Sequence, residues 1–141
     1  MKTDIVMIKL EKKFTDITKE VNKHLVGVKN GFVIISSMHT TCGVKIMENE
    51  ILSLSDIDDF LKRVAPEDIV YAHDKIDLRQ VPLTERINGY SHVRMLFFDS
   101  SITVPVSDEK LMLGEWQSIM AVEMDGLPPR KRKFVIQVIE A

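Results

Sequence analysis

From its start the chain alternates polar and apolar side chains over Asp4–Lys13 (DIVMIKLEKK), the two-residue period of a strand with one buried face. The period then lengthens. Ile17, Val21, Leu25 and Val28 recur at helical spacing within Thr15–Val28, which predicts a helix capped by Thr15 or Asp16. Asn30-Gly31 interrupts, and Phe32–Ser37 (FVIISS) is a β-branched run too short for a helix, hence a well-buried strand. Cys42-Gly43 follows as a bend or bulge, because glycine tolerates special backbone angles, and GVKIM continues extended. Ile51, Leu54, Ile57, Leu61 and Val64 then share one face of a helix over Glu50–Val64, which Pro66 helps to end.

Tyr71–His92 has little periodicity. A connection of about 20 residues is far longer than usual and is generally functional or disordered. This one holds two of the four histidines, which favours function. The remainder reads as strands: His92–Phe98, Ser101–Ser107, Ser118–Gly126 and Lys133–Glu140. Asp125-Gly126 and Pro128-Pro129 mark the last turn. Helices in the first half and strands in the second, without βαβ alternation, predict an α+β fold. Its mostly antiparallel sheet or sandwich carries two main helices in the N-terminal half. No repeat, low-complexity tract or linker divides residues 1–141, so one domain is expected.

Composition narrows the function classes. A hydrophobic fraction of 45% and a charged fraction of 28% are those of an ordinary globular chain. A formal charge of −2 argues against a dedicated nucleic-acid binder. The single cysteine permits no intrachain disulfide and suits a reducing compartment. No apolar run approaches the ~20 residues that span a bilayer, and Met1–Lys13 does not resemble a signal peptide. A cytoplasmic location is expected, with no membrane partner.

His39, His73 and His92 lie at strand ends or in the long loop. Three converging imidazoles would suit zinc or a similar divalent ion, although their spacing matches no local metal motif. His24 falls on the polar side of the first helix and reads as a surface residue. Glu48, Asn49 and Glu50 stand where a strand gives way to a helix. Acids and asparagine favour a helix start, while Glu48 on a strand end has the chemistry of a general base. Thr40 and Thr41 offer hydroxyls to a phosphate, or are there because threonine packs well in strands. Ser100 and Ser101 bind an anion or form a turn. Cys42 reads as a small buried apolar residue, and Trp116 as buried with its indole N–H bonded, or stacked on a ring. Arg130–Lys133 (RKRK) either grips phosphate or is a solvated turn entering an edge strand.

Taken in order, these stretches resemble the YjbQ-like family, often named for a secondary thiamine-phosphate synthase activity. HTTCGVKIMENE resembles its histidine-threonine strand ending in Glu-Asn. His73-Asp74 with ERINGYSH resembles its central histidine loop. Ser100–Lys133 resembles its C-terminal half, with the Gly-x-Trp-Gln element and the Asp-Gly-Pro-Arg turn. Tyr90 stands where many members have a further histidine. The resemblance implies a compact α+β domain that assembles as a homotrimer. It groups His39, His73 and His92 as one constellation with Glu48 and Asn49 beside it. The activity it implies joins a pyrimidine-methyl diphosphate to a thiazole phosphate. Glu48 or Glu85 would then act as acid/base, and Arg130 as a phosphate clamp beside Thr40, Thr41 and Ser101. Magnesium suits a diphosphate. A histidine-rich site suits zinc and hydrolysis of a phosphorylated small molecule. A trimer that only binds a metal ion or phosphorylated metabolite is the non-enzymatic alternative.

Overall fold

A computed structural model of the chain describes residues 1–126 and 129–141. Pro128, part of the predicted last turn, lies outside them. The eight strands found there are β1 (Lys2–Leu10), β2 (Phe14–Asp16), β3 (Asn30–Ser37), β4 (Cys42–Met47), β5 (Ser101–Ser107), β6 (Lys110–Leu111), β7 (Ser118–Glu123) and β8 (Arg130–Glu140). The helices are α1 (Thr18–Asn22), α2 (Ile51–Val64) and α3 (Gly89–Arg94), with short 3-10 turns at Ala72–Asp74, Ile76–Leu78 and Met95–Phe97. The fold is α+β and its strand pairing antiparallel. One sheet has the order β1-β8-β3-β5-β6, the other β2-β7-β4.

Three layers result. Alternation along β8 turns Arg132, Phe134, Ile136 and Val138 inward, where they meet Val33, Ile35, Val104 and Val106 of the same sheet. Cys42, Val44, Ile119 and Ala121 of the smaller sheet cover them. The other face of that sheet packs Phe14, Met120 and Val122 against Leu61 of α2 and Phe98. β7 is therefore covered on both faces, which accounts for its unbroken apolar run. Each such buried side chain contributes roughly 1.5–3 kcal/mol, so the sandwich outweighs the short helices in stability.

Several expectations are corrected. Phe14–Asp16 pairs with β7 instead of opening a helix, with Phe14 opposite Val122. Within this stretch only Thr18–Asn22 is α-helical, and i→i+3 bonds donated by Lys23, His24, Leu25 and Val28 continue the curl through Gly27, whose φ of +86° suits glycine. Ile17, Val21, Leu25 and Val28 are buried all the same. His24 is no surface residue: its Nδ1 lies 2.7 Å from Asp4 Oδ2, with its side chain 13% exposed. Gly43 sits in regular pairing opposite Val122. Its reason is close approach: a Cβ there would meet the Asp99 carbonyl at 2.6 Å and Met95 Cε at 2.5 Å. β8 is an interior strand, so Arg130–Lys133 does not enter a sheet edge.

The largest correction concerns His92–Phe98. These residues form the end of α3 and a 3-10 turn, not a strand. Ser91, Arg94 and Phe98 are the buried positions, a spacing of three to four. The contacts that hold this helix are distant in sequence. The Asp74 carboxylate accepts from the first α3 N–H, at Gly89 (2.8 Å), and from the Tyr71 N–H (2.9 Å). The Arg94 guanidinium, 1% exposed, donates through Nε to the Ala65 carbonyl at the end of α2 (2.9 Å).

Candidate functional site

Because Asp74 ties the start of α3 to the 3-10 turn that carries His73, the imidazoles of His73 and His92 are brought face to face. Their ring centroids are 4.3 Å apart, tilted by 45°. His73 Nδ1 is buried without a hydrogen-bond partner among the described residues. Burial, and then the neighbouring His73, push the His92 pKa below the usual imidazole value. His92 is thus favoured in its neutral form. It faces a cleft of about 470 Å³ whose walls include His39, Thr40, Met95, Phe98 and Ser100.

His39 occupies the connection between β3 and β4 and extends the sheet. The β3–β8 ladder closes at Ser37 opposite Phe134. Beyond it, the Met38 N–H donates to the Lys133 carbonyl (3.1 Å), and the Lys133 N–H donates to His39 Nε2 (2.9 Å). The ring stands in for the next backbone carbonyl. Its Nδ1 lies 3.3 Å from Nη1 of Arg132. A protonated ring would set an N–H against each donor. Burial, and then the Arg132 charge, lower its pKa accordingly. Among the described residues, no three His, Cys, Asp or Glu side chains gather closely enough to hold an ion. Of the three expected histidines, His73 and His92 converge, while His39 bonds to β8 on another wall of the same cleft.

Behind His39 stands a buried ion pair. Arg132 donates through Nε and Nη2 to both carboxylate oxygens of Glu123, with side chains 7% and 0% exposed. The same Nη2 donates to Thr41 Oγ1 (3.2 Å). Thr41 is thus turned inward, which leaves Thr40 to face the cleft. Next along, the Asp125 carboxylate accepts from Arg86 Nη2 and Arg130 Nη1, each at 3.1 Å. Burial opposes its ionisation, but hydrogen bonds from Asn88 and Arg130, with the Arg86 charge, outweigh this and hold its pKa below the ordinary carboxylate value. Cys42 is wholly buried with its thiol pushed up to about 12, by burial first and Glu123 second, as an unreactive cysteine should be.

The remaining predicted residues lie elsewhere. Glu48 and Asn49 leave the far end of β4; its six residues put about 20 Å between them and His39. There they line a separate depression with Glu115, Ser118 and Trp116, which is 70% exposed instead of buried. Glu50, not Asn49, caps α2, accepting from the Leu52 and Ser53 N–H groups. Ser101 bonds to Ser36 across the sheet (2.7 Å), and Ser100 faces the cleft in its place. Glu85 sits in the central loop, its N–H bonded to the Pro82 carbonyl. Asp74, Arg86, Glu123 and Asp125 were not among the expected site residues. Their only local signal was an acid at an otherwise apolar strand end (Glu123) or beside a turn glycine (Asp125).

Comparison with known proteins finds relatives over nearly the whole chain. The model of the UPF0047 protein YjbQ-like family matches residues 4–141. A UPF0047 protein of Methanothermobacter thermautotrophicus is 38% identical over 125 residues, covering 87% of this chain and 80% of the relative. One from Mycobacterium tuberculosis is 30% identical over 132 residues, 93% of each chain. The crystal structure of a hypothetical protein from Aeropyrum pernix superposes with a TM-score of 0.83 at 29% identity, covering 100% of both chains.

Proposed function

We propose, from the premise that the chain belongs to the YjbQ-like UPF0047 family, that its histidine cleft binds a small phosphorylated metabolite and converts it, with His92 acting on the reacting groups. The observation that carries this reading is the pairing of His92 with His73: a neutral imidazole, backed by a second one, at the wall of a cleft large enough for a small substrate. A neutral histidine can take a proton from a nucleophile and return it to a leaving group. The family resemblance favours thiamine-phosphate synthase chemistry. There the thiazole nitrogen, which carries no proton to give up, forms a bond to the pyrimidine methylene, the carbon–oxygen bond to diphosphate breaks with its electron pair leaving on the diphosphate, and the His92 N–H would hydrogen-bond to that leaving group. The lowered pKa of His92 favours a second reading, hydrolysis of a phosphorylated small molecule with His92 as base toward water.

Purified protein is assayed with the pyrimidine diphosphate and thiazole phosphate plus magnesium, and separately for phosphate release from a panel of phosphomonoesters. Turnover should fall on the order of 10²-fold or more in His92→Gln, with the fold intact. Absence of turnover throughout, or full turnover in His92→Gln, overturns the reading. Elemental analysis accompanies the assay. An ion bound by wild type and lost in His73→Ala and His92→Ala would reassign the pair as metal ligands. The homotrimer implied by the resemblance belongs to the same proposal, since a second copy is what could bring a Glu48 end to a histidine cleft. Sedimentation of a monomer with full turnover rejects it.

A further inference from the structure

One buried carboxylate organises two arginines from different parts of the chain. Asp125, 4% exposed, lies between β7 and β8. Arg86 reaches it from the central loop, its Nη2 3.1 Å from Oδ1 and 3.4 Å from the backbone carbonyl. Arg130, the first residue of β8, reaches the other oxygen through Nη1 (3.1 Å) and the same carbonyl (3.1 Å). A carboxylate matched to a single guanidinium would accept two parallel bonds from it. Here the two oxygens are divided between two guanidinium groups. Each arginine spends one terminal nitrogen, and among the described residues Nε and Nη1 of Arg86 and Nε and Nη2 of Arg130 make no hydrogen bond. Neither side chain is buried: Arg86 is 47% and Arg130 29% exposed.

The charge balance points the same way. Two arginines against one aspartate leave a net positive charge. Glu123 cannot offset it, being spent on Arg132. The turn is shaped to admit Arg86: Gly126 has φ +80°, and a Cβ there would stand 2.7 Å from Arg86 Nη2. The site neighbours the histidine cleft through the chain: Arg86 precedes α3, which carries His92, and the Met124 N–H beside Asp125 donates to the carbonyl of Thr41, next to Thr40 on the cleft wall.

We infer that Arg86 and Arg130, held apart and aligned by Asp125, form a binding site for a phosphate or diphosphate group. Two planar forks with a surplus charge suit a tetrahedral oxyanion with several acceptor oxygens; a carboxylate offers only two. This deepens the reading of the cleft, and rests on it, by assigning the substrate's phosphoryl end to these arginines. It adds Arg86, which the sequence did not single out, to Arg130, which it did.

The test is titration calorimetry of the full chain with inorganic phosphate, pyrophosphate and acetate. Wild type should bind pyrophosphate and phosphate but not acetate. Arg86→Ala and Arg130→Ala should each weaken binding about tenfold or more, and Arg86→Lys should recover only part, because a point charge replaces a fork. Lys110→Ala, on the distant β6, should bind as wild type. Circular dichroism confirms that each variant is folded, and should Arg130→Ala unfold, Arg86→Ala alone decides. Failure of wild type to bind either phosphate at millimolar concentration overturns the proposal. So does unchanged binding in both arginine variants, or acetate binding as tightly as phosphate. His92→Gln should keep its phosphate binding. An anion site without turnover therefore rejects the catalytic reading alone, and turnover indifferent to both arginines rejects the anion site alone.

Discussion

β4 begins in the buried interior and ends in solvent, and candidate residues stand at both ends. At its start, His39, Thr41 and Cys42 run into the buried Arg132–Glu123 pair, which also bonds to Thr41 and reaches the His39 ring. At its end, Glu48 and Asn49 are exposed beside an exposed tryptophan. The same residue types behave differently at the two ends. Glu123 is an unreachable buffer for a buried cation, whereas Glu50 merely caps a helix. Nearness in sequence is therefore a poor guide to a shared site along a strand: twelve residues of quasi-motif span a whole sheet.

The buried end is the more sensitive to substitution. Arg132→Met leaves the Glu123 carboxylate desolvated and unpaired, and losing one partner of a buried pair costs on the order of 3–5 kcal/mol. Chemical denaturation should register that loss in full. The double variant Arg132→Met/Glu123→Leu should recover most of it, because an apolar pair carries no desolvation penalty. A small effect of the single change would mean that water reaches the pair.

That network also marks the limit of what the chain discloses by itself. Strands Ser101–Ser107 and α2 were legible because each is a local pattern repeated over several residues. The histidines stood out because imidazoles at the ends of elements are conspicuous. Glu123 and Arg132 did not, since β7 and β8 lie in different sheets and only the packing of one sheet on the other brings the two side chains together. The helical state of His92–Phe98 was hidden for the same reason. Its run of Val, Leu and Phe suits a strand, and the bonds that decide otherwise come from Asp74 and from the end of α2.

Acid should separate the two ends next. His39 and His92 are harder to protonate in the folded chain than in the unfolded one, so the unfolded chain binds more protons between the two pKa values. Their contribution to stability is complete above the ordinary value of 6.5 and is lost as pH falls through the lower folded values. Melting temperature should therefore decline below about pH 6.5, and His92→Phe should flatten the decline. Proton NMR titration of the ring signals resolves the two histidines, and Arg132→Met should raise the His39 pKa without moving that of His92. Glu50 responds in a lower window. Bonds from the Leu52 and Ser53 N–H groups lower its pKa, so its support for α2 is present above the ordinary carboxylate value of 4.5 and fades as pH falls through the folded value. Glu50→Ala should cost less stability than Arg132→Met and remove that acid-sensitive component.

The smallest effect is expected at Glu48. The residue is exposed, and among the described residues its side chain makes no hydrogen bond or ion pair, so Glu48→Gln should leave thermal and chemical stability unchanged within error. In a single chain it should leave phosphate binding unchanged too, because about 20 Å of strand separates it from the cleft. A loss of turnover with stability and phosphate binding intact would join the two ends in one reaction. Since β4 cannot fold back on itself, the Glu48 acting on a given cleft would then have to come from another copy of the chain. Mixing Glu48→Gln with His92→Gln protein would decide that point, as only a site shared between copies regains activity from two inactive variants.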